Sequence, residues 1–388
     1  MKQKTKVWAI DRQGVVNPPP QSSRFNAVGP ILALMLAGML LQGCKSKRNV
    51  DQDPNSSAHP SEATDAASPN SDNEAAVAGD APSRNQTPDL HPDAEKTSPQ
   101  SSAGISEDVA LQALQEFDAE VEREDIGTLE SQVQAEPGGE AVVASLSIQN
   151  FFFKDEDLRY VKAFPSLREL HLRGTQVTDT GLASLAGLEK LKTLDLFSLE
   201  IDGAGFEHLS GLANLTSLNL DYGKVYDDGL KRISALKSLK ELYLESNKIT
   251  GDGLSHLGNL PELERLSIGG NKILGEDLRR FPELNRLSYL ALRNGDIEGE
   301  GIQHLAKLKN LRELSLAGSA ITDSGLSQLQ SLKGLKTLDL ENTSISDAGL
   351  DSLEGIDSLS QLSLKETEVT REAVERLKKN RPALEIAM

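Results

Sequence analysis

The chain has 388 residues, with 41 basic against 59 acidic side chains and a formal net charge of −18. Such an excess of negative charge excludes general nucleic-acid binding through neutralised phosphates, and a single cysteine, Cys44, excludes an intramolecular disulfide and a cysteine-based metal site. The length accommodates two or three ordinary domains, or one long repeat domain with tails.

Residues 1–25 carry Lys2, Lys4, Lys6, Arg12 and Arg24 against Asp11 alone, and an apolar run follows from Ala27 to Leu41, interrupted by Gly29, Pro30 and Gly38. As a helix this run reaches about 22 Å, short of the roughly 30 Å of a bilayer core, so it reads as a secretory signal rather than a stable span. It closes on Leu41-Gln42-Gly43-Cys44, which resembles the lipobox of bacterial lipoproteins. The resemblance implies cleavage after residue 43 and lipidation of Cys44. Five positive and one negative side chains would then be lost, taking the side-chain charge from −18 to −22. Lys45 stands where an inner-membrane retention signal would have Asp, which favours an outer membrane, and the acyl chains would hold the protein there. The alternative is an uncleaved anchor with an incidental cysteine.

Residues 44–104 form the next segment. From Lys45 to Gly104 there is no aromatic residue, and Val50, Val77 and Leu90 are the only Val, Ile or Leu. So little apolar area cannot offset the entropy of ordering, and the segment is expected to be a disordered tether of roughly 40–45 Å root-mean-square span. Apolar spacing resumes at Ile105. Ser106 is placed to cap a helix bearing Val109, Leu111, Leu114 and Phe117, after which Phe117, Ala119 and Val121 alternate as in a short strand. Residues 105–140 are therefore expected to be an N-terminal cap.

From residue 141 onwards the chain repeats itself. Leu167, Leu191, Leu215, Leu239, Leu263, Leu287, Leu311, Leu335 and Leu359 stand 24 residues apart. Around each runs L-x-x-L-x-L, as in Leu311, Leu314 and Leu316, followed by V/I-T-D-x-G-L, as in Val177-Thr178-Asp179-Thr180-Gly181-Leu182. A degenerate first copy at Val143–Ile148 brings the count to about ten repeats within 141–388. Leu170 and Leu172, two apart, share one side of a strand, and Leu182 and Leu185, three apart, share one side of a short helix. Asp179 is placed to cap that helix, and Gly181 keeps its first turn slim. Neither apolar side is buried until repeats stack, and each buried Leu or Val then contributes about 1.5–3 kcal/mol. At the far end the column of Leu188, Leu212 and Leu236 becomes Asn380, and Ala383, Ile386 and Met388 fit an incomplete further strand.

These motifs resemble the leucine-rich-repeat family over roughly 140–388. The V/I-T-D-x-G-L segment is similar to the subtype of F-box-associated repeats and of many bacterial envelope proteins. Thr175, Asn247, Asn271 and Thr343 stand where the F-box-associated repeats usually carry Cys, so no ubiquitin-ligase role is carried over. The resemblance implies an α/β repeat solenoid, a horseshoe with a parallel concave sheet and short convex helices, whose use is binding. No cluster with the chemistry of catalysis emerges, and neither enzyme activity nor a cofactor is expected. His208, His256 and His304 are in phase, but at two-repeat separations of about 9–10 Å they are too far apart to share a metal.

Binding is expected on strand positions pointing out of the concave face. The candidates are Arg173, Asp195, Phe197, Asp221, Tyr222 and Glu241, continued by Tyr243, Glu245, Arg265, Tyr289 and Arg293. Exposed aromatics are frequent interface anchors, and here they lie among acids framed by arginines. Phe151, Phe152 and Phe153 are expected to pack under the N-terminal cap. The reading is a lipid-anchored, extracytoplasmic module for protein partners at a bacterial envelope. The alternative is a structural or adhesive protein binding peptidoglycan or polysaccharide.

Overall fold

A computed structural model describes residues 104–125 and 141–388. Cys44, the basic and apolar stretches before it, the expected tether and residues 126–140 of the expected cap lie outside the described residues. None of the described helices is long and apolar enough to cross a membrane.

The described residues form one twelve-stranded sheet with strands in chain order. Strand β1 (Glu120–Asp125) pairs antiparallel with β2 (Ala141–Ser147), an addition to the parallel arrangement expected from the repeats. Every later pairing is parallel. Strand β3 (Glu169–His171) is followed at 24-residue intervals by three-residue strands ending with β12 (Glu385–Ala387). The register matches equivalent positions, Leu170 with Leu194 and Leu194 with Leu218, so the leucine period of the sequence is the pairing period of the sheet.

Each strand returns through a short helix on the other side. Several are 3-10 turns, such as Gly181–Leu185, in which residues three apart eclipse and Leu182 and Leu185 face inward together. Strand and helix leucines meet in one continuous core running from Ala110 to Leu384. Phe153, Phe164, Phe206 and Phe281 are the largest side chains buried in it.

The N-terminal helix spans Glu107–Gln115, and the Ser106 hydroxyl accepts the Val109 N–H at 3.4 Å as its cap. Its buried face is Ala110 and Leu114, whereas Val109 is exposed. The small Ala110 permits close approach, so the i, i+4 pair displaces the face expected from Val109. The strand after it begins at Glu120, with Phe117 and Asp118 in the preceding turn. Strand β1 reads Glu-Val-Glu-Arg-Glu-Asp, and such charge on an outer strand blunts an edge that another chain could otherwise extend. At the opposite end the helix Arg371–Asn380 leads to Arg381, whose guanidinium donates to the carbonyls of Leu353, Asp357 and Leu359.

The Thr-Asp of the repeat motif proves to be a clasp between repeats. Asp155 accepts the Thr178 N–H at 2.7 Å and the Thr178 hydroxyl at 2.6 Å, and Asp227 does the same for Thr250 at 2.8 and 2.6 Å. Asp323 holds Ser346 and Asp347 holds Thr370 in the same way. Asp179 accordingly accepts from Asp202, Gly203 and Gly205 of the next repeat instead of capping its own helix. The strand-to-helix turn leaves backbone donors unpaired at the start of each repeat, and the carboxylate behind it is the nearest acceptor.

A second tie uses Asn247. Its carboxamide oxygen accepts the Val225 N–H at 2.9 Å, and its nitrogen donates to Leu220 O at 2.9 Å and Glu245 O at 3.1 Å. Asn271 repeats the pattern one repeat on, toward Ile249 and Leu244.

Candidate interaction surface

The alternation of each strand decides what the concave face offers. Leu170 and Leu172 point into the core, so Glu169, His171 and Arg173 point out, and the same choice recurs every 24 residues. The predicted positions share this face, but they are not equally available.

At its N-terminal end the face is self-paired. Arg173 Nε donates to Asp195 Oδ2 at 2.5 Å, and His171 Nδ1 lies 3.3 Å from the same oxygen. Asp195 is only 3% exposed, so this carboxylate is taken up by its own neighbours and is not offered to a partner, contrary to the expectation for it. The Phe197 N–H also donates to it, at 3.2 Å. Toward the other end Arg293 donates to Ser315, Ser315 donates to Asp339, and Arg293 stands 3.9 Å from Asp339. Two of the three framing arginines are therefore engaged internally. The third, Arg265, stacks over the Tyr289 ring with 4.1 Å from its guanidinium carbon to the centroid.

Between these ends the aromatics form a strip in which Tyr222 is exposed and Phe197, Tyr243 and Tyr289 are half-buried. The Phe197 and Tyr222 rings lie 5.2 Å apart in a tilted arrangement, and Arg173 covers Phe197 at 5.7 Å. Tyr243 is half-buried and donates its hydroxyl to Glu241 at 3.4 Å, and burial raises the phenol pKa of both Tyr243 and Tyr289. Asp221 accepts the Glu245 N–H at 2.6 Å, and the Ser267 hydroxyl donates to Glu245 at 2.6 Å.

Tyr222 occupies a special backbone position. The third residue after each three-residue strand from β3 to β11 (Gln361–Ser363) is left-handed, at Gly174, Ser198, Tyr222, Ser246, Gly270, Asn294, Gly318, Asn342 and Glu366. Glycine and asparagine tolerate this conformation, whereas a tyrosine at φ +60 is strained. Recognising the column from the sequence needs the strand boundaries first, because Gly174, Gly270 and Gly318 mark only some of its members.

The three consecutive phenylalanines separate. Phe153 is buried and meets Phe117 edge-on at 5.1 Å, while Phe151 and Phe152 are 60% and 76% exposed. Only Phe153 falls in the phase of the apolar column, so its two neighbours turn outward. His208, His256 and His304 lie on the convex helices. No group of three metal-ligating side chains occurs among the described residues.

Two groups on the concave face have shifted titrations. His171 is raised from 6.5 to about 9, through its hydrogen bonds to Asp195 and then Glu169. Asp221 is raised from 3.8 to about 7, first by burial and then by the nearby Glu245 and Asp195 carboxylates. In both cases the folded state holds the proton more tightly than the unfolded chain. Stability therefore declines as pH rises from 3.8 to 7 for Asp221, and from 6.5 to 9 for His171. His171→Gln is expected to abolish the upper decline while leaving the lower one. Urea unfolding of both chains across the two windows checks this, and parallel curves for wild type and variant would refute it.

The family described as leucine-rich repeat region matches residues 141–381. Among solved structures, an internalin from Listeria monocytogenes is 24% identical, with 59% of this chain and 69% of that one covered at a TM-score of 0.45. A leucine-rich-repeat protein of Leptospira interrogans is 22% identical, covering 59% and 62%, with a TM-score of 0.44. A TDR receptor is 23% identical, covering 63% of this chain and 46% of that one, with a TM-score of 0.43. No curated protein matches.

Proposed function

The chain belongs to the leucine-rich-repeat family, and from that premise we propose that it is a lipid-anchored, extracytoplasmic module that binds a protein partner on its concave face. Stacked repeats of this kind present extended, preformed concave surfaces, and a preformed surface lowers the ordering entropy of association. The observation that carries the reading is the run of accessible aromatics, Phe197, Tyr222, Tyr243 and Tyr289, along one side of the sheet. Aromatic side chains lose little rotamer freedom on binding and bury large areas, which makes them effective anchors.

The anchoring part of the proposal rests on sequence. Cys44 is the sole cysteine and stands directly after Leu41-Gln42-Gly43, behind a basic and then an apolar stretch. Expressed in a bacterial host fed labelled palmitate, the full chain should incorporate label, and Cys44→Ala should not. An unlabelled wild-type chain would refute the anchor.

The binding part is tested by crosslinking the full chain in envelope preparations beside a Tyr243→Ala, Tyr289→Ala double variant. A protein crosslinked to wild type and lost from a folded variant is the expected result. Equal capture by both moves the site away from this face. Retention on polysaccharide with no protein crosslinked would replace the reading by the adhesive one.

A further inference from the structure

The charges on the concave face do not cancel evenly along it. Arg173 and His171 are engaged with Asp195 at one end, and Arg293 with Ser315 and Asp339 toward the other. Between them, Asp221, Glu241 and Glu245 are hydrogen-bonded to neutral groups, namely the Glu245 N–H and the hydroxyls of Ser217, Tyr243 and Ser267. Among the described residues none of these three carboxylates forms an ion pair. Arg265 is the register partner of Glu241 on the neighbouring strand, yet it stacks on Tyr289 instead.

The same stretch carries the pair of rings formed by half-buried Phe197 and exposed Tyr222. Phe197, Asp221 and Glu245 occupy one position of three successive repeats, so at about 4.8 Å per strand they make a strip roughly 10 Å long. Tyr222 follows Asp221 at a strained left-handed backbone and is 55% exposed. The fold imposes this conformation at the same point of successive repeats, and the core gains little from an exposed ring there, so packing does not explain why the residue is a tyrosine. Beyond Glu245 the strip ends in a step at Gly269, where a Cβ would stand 2.3 Å from the Arg293 carbonyl oxygen.

We infer that the strip formed by Phe197, Tyr222, Asp221 and Glu245 seats a lysine or arginine side chain of an extended basic segment in the partner protein. The inference rests on the concave-face reading above. The apolar stem of such a side chain lies along the two rings, and its cationic head reaches the Glu245 carboxylate and Asp221, whose raised pKa the cation lowers again. The Phe197 ring already holds the Arg173 guanidinium at 5.7 Å, an arginine whose charge Asp195 offsets, so the two rings serve the stem of the incoming side chain and the carboxylates its charge. An acidic segment would meet like charge here, and an apolar one would cover carboxylates without pairing them.

The test uses the full chain and a fluorescent octapeptide of alternating glycine and lysine, followed by anisotropy at physiological salt. Asp221→Asn with Glu245→Gln is expected to weaken binding about tenfold, the size of one lost hydrogen bond between charged groups. Glu207→Gln with Asp228→Asn removes the same charge from the convex helices and is expected to change it less than about twofold. Tyr222→Asn, which suits the left-handed backbone, should also weaken the peptide without lowering stability. Equal losses from the concave and convex pairs, or none from either, would overturn the basic-segment proposal. If in addition the crosslinked partner still depends on Tyr243 and Tyr289, the concave reading stands without it. If no concave substitution affects any partner, the underlying reading fails as well.

Discussion

Asn247→Ala is expected to lower the stability of the repeat array by about 2–4 kcal/mol, one of the largest effects available from a single polar side chain here. Asn247 is 3% exposed and joins two repeats through two hydrogen bonds at 2.9 Å, with a third at 3.1 Å to Glu245 O of its own repeat. Alanine leaves the Val225 N–H and the Leu220 carbonyl inside the structure without their partner and opens a void where the carboxamide stood. The replacement is not repaired locally, because Gly223 occupies the corresponding position of the preceding repeat and has no side chain to turn inward. Its missing Cβ would in fact stand 2.9 Å from the Asn247 carboxamide oxygen. Urea unfolding followed by circular dichroism should show a lower midpoint. The transition should also broaden, since stability in a repeat array is a sum of nearest-neighbour couplings and this variant weakens one of them. Asn247→Asp, with a carboxylate facing two carbonyls, should fare no better. An unchanged midpoint in either variant would mean that water replaces the carboxamide.

The leucine lattice was legible in the sequence because one side-chain type performs one task at a fixed interval. Leu170, Leu194 and Leu218 could be assigned to the core before any pairing was known, and alternation then put their neighbours on the concave face. Alternation reports direction, however, and not availability. Asp195 points the right way but is covered by Arg173 from 22 residues earlier and His171 from 24 residues earlier, contacts that no single repeat reveals. Asp179 failed as a cap for the same reason, since the donors that need it belong to the next repeat. Aromaticity marks Tyr222 in the sequence, whereas its left-handed backbone is visible only against the whole column of equivalent positions.

The glycine of the repeat motif yields the second large effect. Gly205→Ala is expected to destabilise by about 1–3 kcal/mol through overpacking. A Cβ at Gly205 would lie 2.2 Å from the Asp179 carbonyl oxygen and 2.9 Å from the Asp179 Cα, and backbone cannot swing aside as a side-chain tip can. Gly181, Gly253 and Gly349 are crowded instead by the carboxylates of Asp155, Asp227 and Asp323, at 2.3, 2.4 and 2.2 Å. In these four repeats the motif glycine therefore makes room for the aspartate residue of the repeat before it, so the two conserve their spacing together as one joint. The control is Gly211→Ala, where nothing lies within 4 Å. Both substitutions remove the same backbone freedom from the unfolded chain, so the difference between them isolates the native-state clash. Gly211→Ala should be neutral or stabilising by up to about 1 kcal/mol. Thermal unfolding of the two variants should place them on opposite sides of wild type, or nearly so. Equal behaviour would mean that the joint relaxes freely, and the rigid coupling of neighbouring repeats inferred from the clasp geometry would have to be abandoned.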